Sequence, residues 1–118
     1  VSDIALSGLE GAQGYDQLSR QSCQQEGELR VDGGCQRVFQ HDGELQLNDH
    51  AWERALCIDT GGTADTVVWH PGSRPLLGVS WNEISEFVCV EAASGGTDSL
   101  CLKPGERAHL SLQARVGV

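Results

Sequence analysis

The stretches Glu44-Leu45-Gln46-Leu47-Asn48 and Ala55-Leu56-Cys57-Ile58-Asp59 repeat their apolar positions with a period of two residues. That period puts successive side chains on opposite faces of an extended strand, whereas a helix repeats every 3.6 residues. The same pattern extends in both directions. Glu28-Leu29-Arg30-Val31-Asp32 alternates upstream, and Thr66-Val67-Val68-Trp69 is a β-branched run ending on an aromatic residue. Phe87-Val88-Cys89-Val90 is continuously apolar and reads as a strand buried on both faces. Ser99-Leu100-Cys101-Leu102 reads as a further short strand. In Ala108 to Val116 the register turns Leu110, Leu112 and Ala114 toward a core and His109, Ser111, Gln113 and Arg115 toward water.

Turn signals separate these runs: Asp32-Gly33-Gly34, His41-Asp42-Gly43, Thr60-Gly61-Gly62, Pro71-Gly72, Ser94-Gly95-Gly96 and Pro104-Gly105. Short strands with such punctuation predict an all-β, antiparallel sandwich or barrel, with residues 1–118 as a single domain; the family resemblance given below implies the β-sandwich. The Gln-rich segment over residues 11–26 reads as a long surface loop. Ser80, with Glu83 three residues later, predicts one capped helical turn within 80–86.

Composition narrows the possible partners. Seventeen acidic against eight basic residues give a formal charge of −9 over 118 residues. Binding nucleic acid or an anionic membrane needs a basic footprint, so neither is expected. No apolar run reaches the ~18–20 residues of a membrane-spanning helix. The five cysteines are odd in number and show no paired metal-ligand spacing, so reduced thiols in a cytoplasmic setting and no metal or other cofactor are expected. The sequence contains no methionine and begins at Val1, which suggests a processing product or a cut within a longer gene.

One residue breaks the alternation. Glu91 follows Phe87-Val88-Cys89-Val90 and shares a strand face with Phe87 and Cys89. A carboxylate in such a setting is a candidate general base, because an apolar environment disfavours its charged form. A structural Glu paired with Arg37 or Arg54 is the alternative. Trp69 and His70 precede the Pro71-Gly72 turn, where both rings can line a cleft. A core Trp beside an exposed His is the plainer arrangement. His41 and His50 sit beside aspartates in turn-like segments, and His109 falls on the outward register of the last strand.

At these residues the chain resembles the D-hexose-6-phosphate mutarotases, also called glucose-6-phosphate 1-epimerases, of the galactose-mutarotase-like superfamily. The resemblance rests on Ile4-Ala5-Leu6-Ser7-Gly8-Leu9-Glu10-Gly11 with Tyr15-Asp16, and on Gln36-Arg37-Val38-Phe39. It continues through Thr66-Val67-Val68-Trp69-His70-Pro71, Phe87 to Ala93, and Leu102-Lys103-Pro104-Gly105-Glu106. The family's enzymes are more than twice as long, so the resemblance implies the C-terminal portion of such a sandwich. It also implies that Glu91 stands where the family has its general base. Gln36 takes the place of an Asp that hydrogen-bonds the sugar, and His70 lies in a segment that usually reads Trp-Asn-Pro-Trp. Gln36 and His70 are therefore the expected substrate-binding residues. The family's catalytic His and phosphate-binding Arg residues belong to its N-terminal half.

The expected activity is acid/base interconversion of the α and β anomers of a sugar phosphate, with the isolated chain not a competent epimerase. The alternative is a non-catalytic carbohydrate-binding or interaction module. Either way the partner is a sugar or sugar phosphate. A homo-oligomer is expected, because half of a large sandwich leaves sheet edges and an apolar face to be covered.

Overall fold

The computed structural model describes residues 3–62, 64–94 and 100–117. Its elements in chain order are β1 (Ile4–Ser7), β2 (Gln13–Asp16), β3 (Gln21–Gln24), β4 (Leu29–Val31), β5 (Cys35–Gln40), β6 (Gly43–Asp49), β7 (Arg54–Gly61), β8 (Asp65–His70), α1 (Trp81–Ile84), β9 (Cys89–Ala93) and β10 (Ser111–Gly117). The strands form two five-stranded sheets, one ordered β10-β7-β6-β1-β4 and the other β3-β2-β5-β8-β9. Every pairing between these strands is antiparallel. The antiparallel all-β fold expected from the alternation is observed, and it is the sandwich that the resemblance implies.

The two stretches that set the period form the β6–β7 hairpin, with Leu45 opposite Ile58 and Leu47 opposite Leu56. Together with Leu6, these residues present one apolar face of the first sheet. Phe39 and Val68 of the second sheet pack against it, both fully buried. A side chain at Gly14 would meet the Val38 carbonyl and the Phe39 ring within 3 Å, so this glycine leaves room for the largest core residue. Gly8, at φ +107°, turns the chain after β1 where a Cβ would strike the backbone of Glu44 and Leu45.

Several expectations are corrected. Residues 11–26 are not a loop but contain the β2–β3 hairpin. Its outer positions are polar because the hairpin lies at a sheet edge, and only Gly14, Asp16, Cys23 and their row neighbours turn inward. The strand expected at Phe87 begins at Cys89, forms a sheet edge, and is half-buried rather than covered on both faces. Leu100, Cys101 and Leu102 lie in exposed non-strand chain; Gly95, Gly96 and Ser99 fall outside the described residues. Leu112 and Ala114 sit on the apolar face of the first sheet, as the register requires, yet all of Ser111–Val116 is exposed. β9 of the other sheet approaches β10 without covering its apolar side chains, and Leu112 and Val116 stay exposed. The capped turn forms as expected: Ser80 Oγ accepts the Glu83 N–H at 3.2 Å at the start of α1.

Candidate functional site

The register of the second sheet determines which side chains meet. Phe39 and Val68 point into the core, and Val90 packs against the same cluster. The alternate positions of β5, β8 and β9 therefore face outward. One row across this outer face reads Ser22, Tyr15, Val38, Val67 and Glu91; the next reads Gln36, Trp69 and Cys89. Glu91 and Trp69 are thus diagonal neighbours, about 7–8 Å apart at their Cα atoms. Gln36 lies on the same face, two strand spacings or roughly 10 Å across from β9.

Glu91 is exposed and makes no ion pair among the described residues. The arginines that offered a structural explanation are engaged elsewhere. Arg37 Nε is 3.3 Å from Asp16 Oδ2 on the inner face, and Arg54 Nε is 3.0 Å from Asp49 Oδ2. Arg37 Nη1 also reaches Gln25 Oε1 at 3.5 Å, and the buried Gln25 amide donates to the carbonyls of Glu26, Gly27 and Glu28. Asp16 and Arg37, both within the segments that carry the resemblance, therefore brace the β2–β5 pair. Burial raises the Asp16 carboxyl pKa, but N–H donation from Ser19 and Leu18 and the Arg37 charge outweigh it and hold the group below its ordinary value. Cys89, beside Glu91 on the outer face, moves the other way: burial first, and then the Glu91 charge, push its thiol up.

Trp69 and His70 exchange the roles expected of them. Trp69 is half-buried on the outer face, while His70 points inward and is 4% exposed. The Gly72 N–H donates to His70 Nδ1 at 3.0 Å, and Nε2 lies 2.8 Å from the Ile84 carbonyl. Nδ1 is also 3.1 Å from the Gly33 carbonyl. A proton on Nε2 with the Nδ1 lone pair free satisfies the Gly72 and Ile84 contacts together. The ring packs against Phe87, tilted by 47° with centroids 5.7 Å apart, and Phe87 itself lies 6.1 Å from Trp69. His70 thus joins the end of β8, the Gly33 turn and α1. The expected contact between its ring and a substrate gives way to this bracing role, because both nitrogens are occupied by backbone groups. Gln36 keeps its outward position, and its amide donates to Gln17 Oε1 at 2.6 Å.

Next to this row lies an open depression of about 410 Å³, bordered by Leu18, Gln36, Trp69, His70, Gly72 and Arg74. Gly72 (φ +67°) permits the tight Pro71-Gly72 turn at its rim, where a Cβ would collide with Gly34 at 2.6 Å. Sequence reasoning passed over Gln17, Cys89 and Arg74. Gln17 lies in the segment read as a loop, and Cys89 was taken for a core residue. Arg74 carries no signal beyond its place after the turn. Among the described residues, no cluster of His, Cys, Asp and Glu is arranged to hold a metal ion.

A sequence model of the aldose 1-epimerase family matches residues 6–115, so the chain belongs to that family. Among solved structures, "Crystal Structure Analysis of HI1317" superposes with a TM-score of 0.82 at 15% identity, covering 98% of this chain. The chain spans 41% of that structure's length. At that identity the likeness concerns the fold alone. Comparison with curated proteins gives no match.

Proposed function

We propose that this chain carries the general base and part of the sugar-binding face of a hexose-6-phosphate mutarotase. The observation that carries this reading is Glu91, exposed and without an ion pair among the described residues on the face it shares with Trp69 and Gln36. A pyranose laid on the Trp69 ring packs its C–H face against an aromatic surface. Its anomeric hydroxyl then lies toward the Glu91 carboxylate, which removes the O1 proton. The C1–O5 bond breaks as a proton reaches O5, giving the aldehyde. Rotation about C1–C2 and reclosure return both protons and yield the other anomer. None of the described residues on this face is a histidine, and this reading takes the acid from the family's N-terminal half, as the resemblance implies.

The test is anomer exchange of glucose 6-phosphate by NMR, alongside backbone shift mapping. Base catalysis without the acid predicts a small acceleration over spontaneous mutarotation, abolished in Glu91→Gln, with shifts centred on Gln36, Trp69 and Glu91. Binding with wild-type and Glu91→Gln rates both at background would overturn the base assignment. It would favour a carbohydrate-binding module instead, a reading supported by the neutral, Gln17-bonded amide of Gln36. Shifts confined to another surface would overturn both.

The exposed end of the first sheet supports self-association. Among the described residues β10 is an edge strand paired with β7 alone, and Leu112 (42%) and Val116 (72%) are exposed. Antiparallel pairing of two copies about Ala114 sets Leu112 against Val116 and Gln113 against Arg115. This pairing joins two sheets and buries apolar surface on both sides.

A further inference from the structure

We infer that Gln17 is a positioning residue: it holds the Gln36 carboxamide by its nitrogen and turns the carboxamide oxygen outward, as a neutral acceptor for one sugar hydroxyl. The inference rests on the reading above and says how this face selects its sugar. Gln36 Nε2 donates to Gln17 Oε1 at 2.6 Å, and no hydrogen bond among the described residues occupies Gln36 Oε1. A contact between two freely rotating glutamine side chains loses most of its strength to rotamer entropy. Here the backbones that carry them are fixed. The Gln17 N–H donates to the Gln36 carbonyl at 2.9 Å, so main chain and side chain both join the pair. Asp16, the residue before Gln17, is held by Arg37 at 3.3 Å. Its Oδ1 accepts the N–H groups of Leu18 and Ser19, at 2.9 and 3.3 Å, and so fixes the turn that leaves β2 on the other side of Gln17.

A carboxamide has one acceptor oxygen and two donor hydrogens, so fixing its nitrogen decides which end meets a ligand. Gln36 pairs directly with Trp69 across the β5–β8 ladder, and both border the depression. A pyranose lying on the Trp69 ring therefore brings a rim hydroxyl to Gln36. Facing an oxygen, that hydroxyl has to donate its proton. The ligand chemistry is an aldose with a free hydroxyl at that position. An ether or a fluorine there offers no proton and leaves the covered oxygen of Gln36 unsatisfied.

The experiment is NMR on the whole chain and on Gln17→Ala, Gln17→Glu and Gln17→Lys, all at an exposed position that the fold tolerates. Without sugar, the two Gln36 Nε2 protons should give well-separated signals in the wild type, because only one of them is bonded. The separation should grow in Gln17→Glu, whose acceptor is charged, and collapse in Gln17→Ala. Gln17→Lys can only donate, so it should turn the amide over and occupy its oxygen. Titrations with glucose and its 2-, 3- and 4-deoxyfluoro analogues then report on the acceptor. One analogue should bind the wild type and Gln17→Glu about three- to tenfold more weakly than glucose, the range for one neutral hydrogen bond. That penalty should shrink in Gln17→Ala and vanish in Gln17→Lys. Gln36 signals unchanged in Gln17→Ala, or the same penalty in all four proteins, would overturn the positioning role while sugar binding on this face stands. Gln36 signals that respond to Gln17 as stated, with no sugar bound by the wild type, would sink the mutarotase reading instead and leave the clamped amide without a sugar to select.

Discussion

His70→Ala is expected to weaken the fold much more than it weakens sugar binding. The substitution strips the Ile84 carbonyl of a partner 2.8 Å away and the Gly72 N–H of one at 3.0 Å. Ile84 is buried, so its carbonyl bears most of the desolvation cost, whereas the half-buried Gly72 recovers some of its loss from water. A buried group left unsatisfied costs about 1–3 kcal/mol, and the ring's packing against Phe87 is lost as well, for a total of about 3 kcal/mol. With a urea slope of about 1.5 kcal/mol/M for a small domain, the unfolding midpoint falls by roughly 2 M. His70→Gln keeps a donor that can reach toward Ile84 and should recover part of the loss. Urea unfolding followed by tryptophan fluorescence measures the midpoint, and an NMR titration with glucose 6-phosphate on the still-folded variant measures affinity. A midpoint within about 0.3 M of wild type, combined with abolished sugar binding, would refute the bracing role and return His70 to the substrate.

Further predictions concern charge and the open edge. The Asp16 carboxyl is held below its ordinary value of 3.8, so the stability it adds is complete above that pH. That stability is lost as pH falls through the lower folded value. Asp16→Asn should therefore flatten the acid limb of the stability profile below about pH 4, as seen in urea midpoints taken across that range. Because burial and the Glu91 charge both raise the Cys89 thiol, iodoacetamide should label Cys89 slowly near pH 8. Glu91→Gln should speed that labelling, read by mass spectrometry of the Cys89 peptide; an unchanged rate would show that the two side chains do not sense each other. Sedimentation at tens of micromolar should detect a dimer that added salt strengthens by screening the −9 charge of each copy. Val116→Lys on the β10 edge should return it to monomer, and a wild-type monomer under the same conditions would remove the edge-pairing proposal.

The legible parts of the structure were those set by local sequence. Alternation in 44–48 and 55–59 identified two strands because a period of two is carried by local sequence alone, whereas their pairing into a hairpin was visible only in the structure. The Ser80 cap was readable for the same reason, since a side chain and an N–H three residues away decide it. The β2–β3 hairpin was missed because its outward Gln13, Tyr15, Ser22 and Gln24 look like loop to any reading that expects apolar strands. Glu91 was found because a charged residue interrupts an apolar run. Its solvent exposure was not readable from that run, since a strand's burial depends on whether another layer lies over it.

By itself, the sequence determined the fold class, the position of Glu91 on an apolar strand, and a strongly negative net charge. Those properties follow from side-chain period and charge, which the chain carries wherever it folds. Only the tertiary structure decided that Trp69 faces outward with Glu91 while His70 turns inward to brace α1. It also placed Arg74 beside Gln36 and left the apolar side of β10 open. Each of these depends on register across strands far apart in the chain, and on which sheet faces which. Pairing β5 with β8 aligns Gln36 with Trp69, and pairing β8 with β9 aligns Val67 with Glu91. A one-residue slip in either ladder would send these side chains to the core and dismantle the site.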